Sequence, residues 1–224
     1  MSYKHDMNAE LKQARLERGH TQQVAAARLG VTQAYFSMLE NGERKPSSML
    51  ARKLMREYGL SPTVLPVSDD PLNATPVFMA GELAALGYPG FAHLRRGSKQ
   101  VNPAQFLLTA LAQNNLEARV AEGLPWLVSR YLDMDFGWLT TQARMKNLQN
   151  RLGFTVTLAK LASHKAALEV PEQALAESKL AKEDSFCRVL NDAESRWLRE
   201  NRSEQAAQWN LLSDLRPDQL RYVA

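Results

Sequence analysis

Between Gln22 and Lys45 the chain spaces amides, hydroxyls and cations in a way suited to reading a duplex nucleic acid. Gln22 and Gln33 each carry a donor and an acceptor on one planar group. Gln22, in the first turn of its helix, would point its amide and backbone N–H toward a phosphate, whereas Gln33, at the start of the next, can bond bidentately to adenine, worth about 1–3 kcal/mol of discrimination. Ala34 has the size to meet a thymine methyl, Ser37 and Met38 follow within reach, and Tyr35 brings a hydroxyl to the backbone. Thr32, Asn41, Arg44 and Lys45 complete the candidate set, the last three as phosphate contacts.

Such groups discriminate only when a rigid element holds them. The stretch TQQVAAARLGVTQAYFSMLEN, residues 21–41, predicts two short helices joined by a tight turn. Thr21 is a good N-cap for a helix over 22–29, and Gly30 supplies the left-handed residue that ends it. Val31 is the apolar turn residue, and Thr32 caps a second helix beginning at Gln33. Phe36 and Leu39, three apart, should face the core and leave Gln33, Ala34, Ser37 and Met38 outside. Ala25 and Ala26 are small enough for the two helices to approach closely. A helix over about 7–18 ending at Gly19, and another over 48–58 ending at Gly59, flank the pair.

With these residues in view, 11–60 resembles the DNA-binding domain of the Cro/C1-type (XRE) regulators. LKQARLERG, TQ opening the second helix, LGVTQ at the turn and LENGERKPS leaving the third carry the likeness. The resemblance implies an all-α, five-helix, lambda-repressor-like fold and a buried ion pair between Arg15 and Glu40. Removing one partner of such a pair costs about 3–5 kcal/mol, because the other charge stays buried. One departure is Ala25, where the family usually carries a larger aliphatic residue.

Charge distribution agrees with a nucleic-acid partner. Residues 1–60 hold ten lysines and arginines against six acids, which is the whole formal charge of +4, and the remaining 164 residues carry 18 of each sign. A basic excess gathered on one domain is rewarded by counterion release from DNA. The single cysteine, Cys187, excludes an intramolecular disulfide and reads as a buried structural thiol. No apolar leader opens the chain and no run approaches eighteen apolar residues, so the expectation is a soluble cytoplasmic protein without a membrane partner.

Composition predicts three parts: a DNA-binding domain over 1–60, a proline-rich linker over 61–76 with four of the ten prolines, and a larger all-α domain over 77–224. Within the last, helices are expected over 77–86, 103–113, 116–122, 125–132, 137–152, 155–168, 171–182, 186–200, 204–212 and 217–222. Pro103, Pro171 and Pro217 mark helix starts. Phe154–Thr–Val–Thr is the only strand-like fragment. Trp126, Trp138, Tyr131, Phe136 and Phe154 concentrate in 116–154; they read first as core and second as a partner or ligand pocket. Asp133 and Asp135 flank Met134 between two helices and read as caps rather than metal ligands. Arg95, Arg96 and Lys99 form a basic loop that could hold an anion or extend the DNA contact.

Enzymatic signatures are missing: no GxxxxGK followed by Ser or Thr, no GxGxxG, no HExxH and no paired cysteines. No cofactor or metal is expected. The function expected is therefore a sequence-specific repressor that binds an inverted-repeat operator in double-stranded DNA as a homodimer, since one such domain reads only a few base pairs. Chains with this N-terminal likeness and a helical extension resemble antitoxins, which repress their own operon and neutralise a cognate toxin protein. The 116–154 segment and WNLLSDLRPDQL are similar to regulators encoded beside nucleotidyltransferase-like toxins. The alternative is a ligand-responsive regulator with a small-molecule pocket in the C-terminal domain.

Overall fold

Hydroxyl, amide and carboxylate caps start most of the helices. Thr21, Thr32, Ser47, Thr75, Asn102, Asp135, Asn191 and Ser203 each accept a backbone N–H of the first turn they precede. Each cap supplies a partner for an amide that the helix itself leaves unpaired. The computed structural model describes residues 7–68, 72, 74–94 and 101–223. It divides into two compact units, Met1–Asp69 and Asp70–Ala224.

In the first unit α1 (Met7–Glu17), α2 (Gln22–Leu29), α3 (Gln33–Glu40) and α4 (Ser48–Tyr58) surround one core of Leu11, Ala25, Leu29, Phe36, Leu39 and Leu54. The fifth helix of the expected fold takes the form of one 3-10 turn, Pro62–Val64. Val64 and Leu65 are buried in this core, so the packed chain runs past residue 60 into the stretch expected to be linker. Ala25, the small residue at a position usually larger, is fully buried.

The second unit is also helical: α5 (Pro76–Ala85), α6 (Pro103–Leu111), α7 (Ala118–Arg130), α8 (Phe136–Met145), α9 (Gln149–Ser163), α10 (Glu169–Ala176), α11 (Asp192–Asn201) and α12 (Glu204–Gln208). Its one β element among the described residues is a two-residue parallel pairing, Asp184 with Leu211 and Ser185 with Leu212. α9 is the central helix. Every residue from Gln149 to Ala159 is buried, so this part of it has no outer face.

At three places expected boundaries move, each for a physical reason. The helices expected over 116–122 and 125–132 are one, α7, with Pro125 inside it. The missing amide bond is offset by burial of Leu124, Trp126, Leu127 and Val128 around the proline. The break expected after Leu152 falls instead at Asn147, whose φ of 56° is left-handed. Gly153 lies within α9, and its missing side chain makes room for the Trp209 ring, since a Cβ there would sit 2.3 Å away. Phe154–Thr–Val–Thr is helical despite its β-branched residues, since tertiary burial overrides their preference. The helix expected over 186–200 begins only at Asp192, under a capping box between Asn191 and Glu194.

Candidate nucleic-acid interface

The geometry around α2 and α3 of the first unit begins from a buried charge. Arg15 on α1 donates through Nε to Glu40 Oε1 at 2.6 Å and through Nη2 to Oε2 at 3.2 Å. Its Nη1 donates to the carbonyl of His20 at 2.7 Å. Both side chains are almost wholly enclosed, at 9 % and 2 % exposure. The fork-on-fork contact ties α1 to the end of α3 and satisfies two charges that burial would otherwise penalise.

The same carboxylate organises two amides that the sequence placed eleven residues apart. Gln22 donates from Nε2 to Glu40 Oε2 at 2.8 Å, and Gln33 donates from Nε2 to Gln22 Oε1 at 2.7 Å. A carboxylate only accepts, so Gln22 must turn its nitrogen inward and its oxygen toward Gln33. Gln33 must then use one amide hydrogen on Gln22. Its second hydrogen and its carbonyl oxygen remain, the donor–acceptor edge that pairs with adenine. Nothing in the spacing of the sequence announced this relay; its signal is the meeting of α2 and α3, which only the fold brings about.

Around Gln33 the other candidates divide. Ala34 is exposed, Met38 is 38 % exposed, and Ser37 is half-buried on the same side. Tyr35 is half-buried, packed partly against the first core. Thr32 spends its hydroxyl on the Tyr35 amide at 3.2 Å, so it holds the helix start. After α3 the chain folds back, with the amides of Glu43 and Arg44 both on the carbonyl of Met38. Asn41 donates to Glu43 Oε1 at 3.4 Å. The Arg44 and Lys45 side chains are exposed and form no hydrogen bond or ion pair among the described residues. Three other cations of this unit are occupied: Lys53 caps the carbonyl of Leu29 at 3.0 Å, Arg28 pairs with Glu57 at 2.9 Å, and Arg18 lies over the Tyr58 ring. The basic cluster at Arg95, Arg96 and Lys99 lies outside the described residues.

In the second unit Trp126 and Tyr131 meet edge-on at 6.4 Å between ring centroids, but the five aromatic residues of 116–154 do not gather at one place. Tyr131 donates to the carbonyl of Leu86 at 2.6 Å, Phe154 packs edge-on against Phe186, and Trp138 is partly buried against the core. Of these aromatics, Trp126 lines a cleft. That cleft, of about 630 Å³, is completed by Tyr88, Arg119 and Glu122 and by the C-terminal segment with Asp214, Arg221 and Tyr222. Tyr88 meets Trp126 at 5.3 Å and Tyr222 at 5.5 Å between ring centroids. Burial, aided by Glu122, pushes the Tyr88 phenol up to about 12. The grouping escapes a reading along the chain because its members are drawn from residues 88–222.

Asp135 caps α8 through the amide of Trp138 at 2.9 Å. Among the described residues no group of three His, Cys, Asp or Glu side chains could hold a metal ion. Cys187 is buried, and burial pushes its thiol up to about 12. No described helix is long and apolar enough to cross a membrane.

Comparison with known proteins bears on the first unit. A helix-turn-helix family model matches residues 11–65. Over 58 residues the chain is 40% identical to an uncharacterised HTH-type transcriptional regulator, YqaF, of Bacillus subtilis (strain 168). That match spans 26% of this chain and 76% of the relative. No solved structure matches the chain significantly.

Proposed function

The chain belongs to the family of helix-turn-helix transcriptional regulators, and from that premise we propose that it represses transcription from an inverted-repeat operator as a homodimer. The observation that carries the reading is the relay from Arg15 through Glu40 and Gln22 to Gln33, which ends at the exposed start of α3. In this reading Gln33 bonds adenine through its remaining amide edge, and Ala34 meets a neighbouring thymine methyl. Gln22 turns its second amide hydrogen to a phosphate. Ser37 and Met38 line the groove one turn on, and Tyr35, Thr32, Asn41, Arg44 and Lys45 face the backbone, where the last two cations release counterions. Two-fold symmetry sets the half-sites about one helical turn apart.

The second unit is the controlling half in this account, and its leading role is that of an antitoxin that binds a cognate toxin protein. An exposed Trp197 on α11, 54 % accessible, and the exposed Val189 before it support a protein partner, since aromatic anchors dominate interfaces. A gel shift on the chain's own promoter, with and without the product of the neighbouring gene, tests both halves. A complex of the two proteins that binds the promoter more tightly is the expected result. Failure of this chain to retard its promoter would sink the repressor reading, and failure of the two proteins to co-elute would sink the antitoxin reading.

A second reading is a ligand-responsive regulator, favoured by the cleft at Tyr88 and Trp126. Its volume lies in the range of small-molecule sites.

A further inference from the structure

The cleft of the second unit holds four charged side chains that leave one another alone. Arg119 and Glu122 lie three apart near the start of α7, a spacing at which opposite charges usually meet. Asp214 and Arg221 face the same space from the C-terminal segment. None of the four forms an ion pair or a side-chain hydrogen bond among the described residues. Elsewhere in this unit Arg144, Arg151, Arg188, Arg199 and Arg202 are all bonded. Arg119 is held by its position over the Phe91 ring, 5.8 Å from the centroid.

The wall between these charges is aromatic and carries one donor without an acceptor. Tyr88 is 5 % exposed, and no described residue accepts its hydroxyl proton. Its ring is closely walled, since even a Cβ on Gly90 would approach it to 2.5 Å. Burial keeps the phenol protonated throughout the neutral range. Trp126 and the 44 % exposed Tyr222 flank it and offer ring surface for stacking.

We infer that this cleft binds a small zwitterion carrying a planar ring, its carboxylate on Arg119 and the Tyr88 hydroxyl and its ammonium on Glu122 or Asp214. A guanidinium and a phenol are donors that suit a carboxylate, and the two acids suit an ammonium. The ring stacks against Trp126 or Tyr222. The inference deepens the ligand-responsive reading and rests on it for regulatory meaning only. A free aromatic amino acid and the end of a short peptide share this chemistry, and the volume admits either.

Calorimetric titration of the full-length protein tests it. The probes are phenylalanine, tryptophan and Gly-Phe as zwitterions, with phenylalanine amide and N-acetylphenylalanine each lacking one charge. The zwitterions should bind saturably, and removal of either charge should weaken binding about tenfold or more. In Glu122→Gln together with Asp214→Asn the penalty for N-acetylation should vanish while that for amidation remains. In Arg119→Gln the reverse should hold, which assigns each charge to its partner. All three positions are exposed, so unchanged melting of the variants accompanies the test. Tighter binding of Gly-Phe assigns a peptide end, and tighter binding of phenylalanine assigns the free amino acid. No binding of any zwitterion at millimolar concentration, or equal penalties in every variant, overturns the proposal. Binding that leaves operator affinity unchanged keeps the site and sinks the ligand-responsive reading alone.

Discussion

The α2–α3 end of the first unit and the cleft of the second are both polar sites, and they differ in how their charges are spent. In the first, a buried ion pair is saturated and its polarity passes outward through Gln22 to Gln33, while Arg44 and Lys45 stay unpaired among the described residues. In the second, four charges share one space without pairing. Closed networks fix geometry, as a reader of base edges requires. Open ones wait for a counterpart. The first arrangement spans residues 15–45, and the second draws on residues 88–222.

The strongest way to break this contrast is to remove the buried anion. Glu40→Ala leaves Arg15 enclosed without its partner and should cost about 3–5 kcal/mol. We expect calorimetry to show that loss in one transition, that of the first unit, with the second unmoved. A uniform fall of both would mean that the units do not fold separately. Next in size is Gly153→Ala. In an open helix this change gains up to about 1 kcal/mol, but here the methyl meets the Trp209 ring and overpacking of about 1–3 kcal/mol should prevail. A stabilised variant would show that Trp209 yields.

Smaller effects sharpen the comparison. Replacing Arg44 and Lys45 by alanine should weaken cognate and random DNA alike. The slope of log affinity against log salt should fall by about 1 for each phosphate no longer neutralised. An unchanged slope would place the phosphate contacts elsewhere. In the second unit, Cys187 and Tyr88 have folded pKa values raised to about 12, from 9.0 and 10.0. Their contribution is fully present below pH 9 and is lost as pH rises toward 12, because the unfolded chain ionises first. Denaturant titrations from about pH 8 to 11 should show this decline in the wild type, and a shallower one in Cys187→Ala.

These differences also explain what could be read from the residues. Thr21, Gly30 and Thr32 act within a few positions of themselves, so their capping roles were legible, and the likeness around Arg15 and Glu40 brought the ion pair with it. The link from Glu40 to Gln22 was not, since nothing along the chain places Gln22 against the end of α3. α9 is buried on every side over most of its length, so its limits could not be drawn from periodicity, and Gly153 looked like a break. The glycine serves the Trp209 ring, far along the chain. Tyr88 and Tyr222 meet each other, and Tyr88 meets Trp126, only through long-range packing, and a window along the chain contains no trace of that meeting.

The central claim is that the relay presents Gln33 to a base edge, and operator selection with the Gln33→Ala variant tests it most directly. Affinities for the selected operator, for the same operator with each half-site base pair replaced, and for random DNA should be measured at one salt concentration. The account predicts that preference for one A·T pair collapses by about 1–3 kcal/mol, roughly five- to 150-fold, while affinity for random DNA is kept. An unchanged base preference would contradict it.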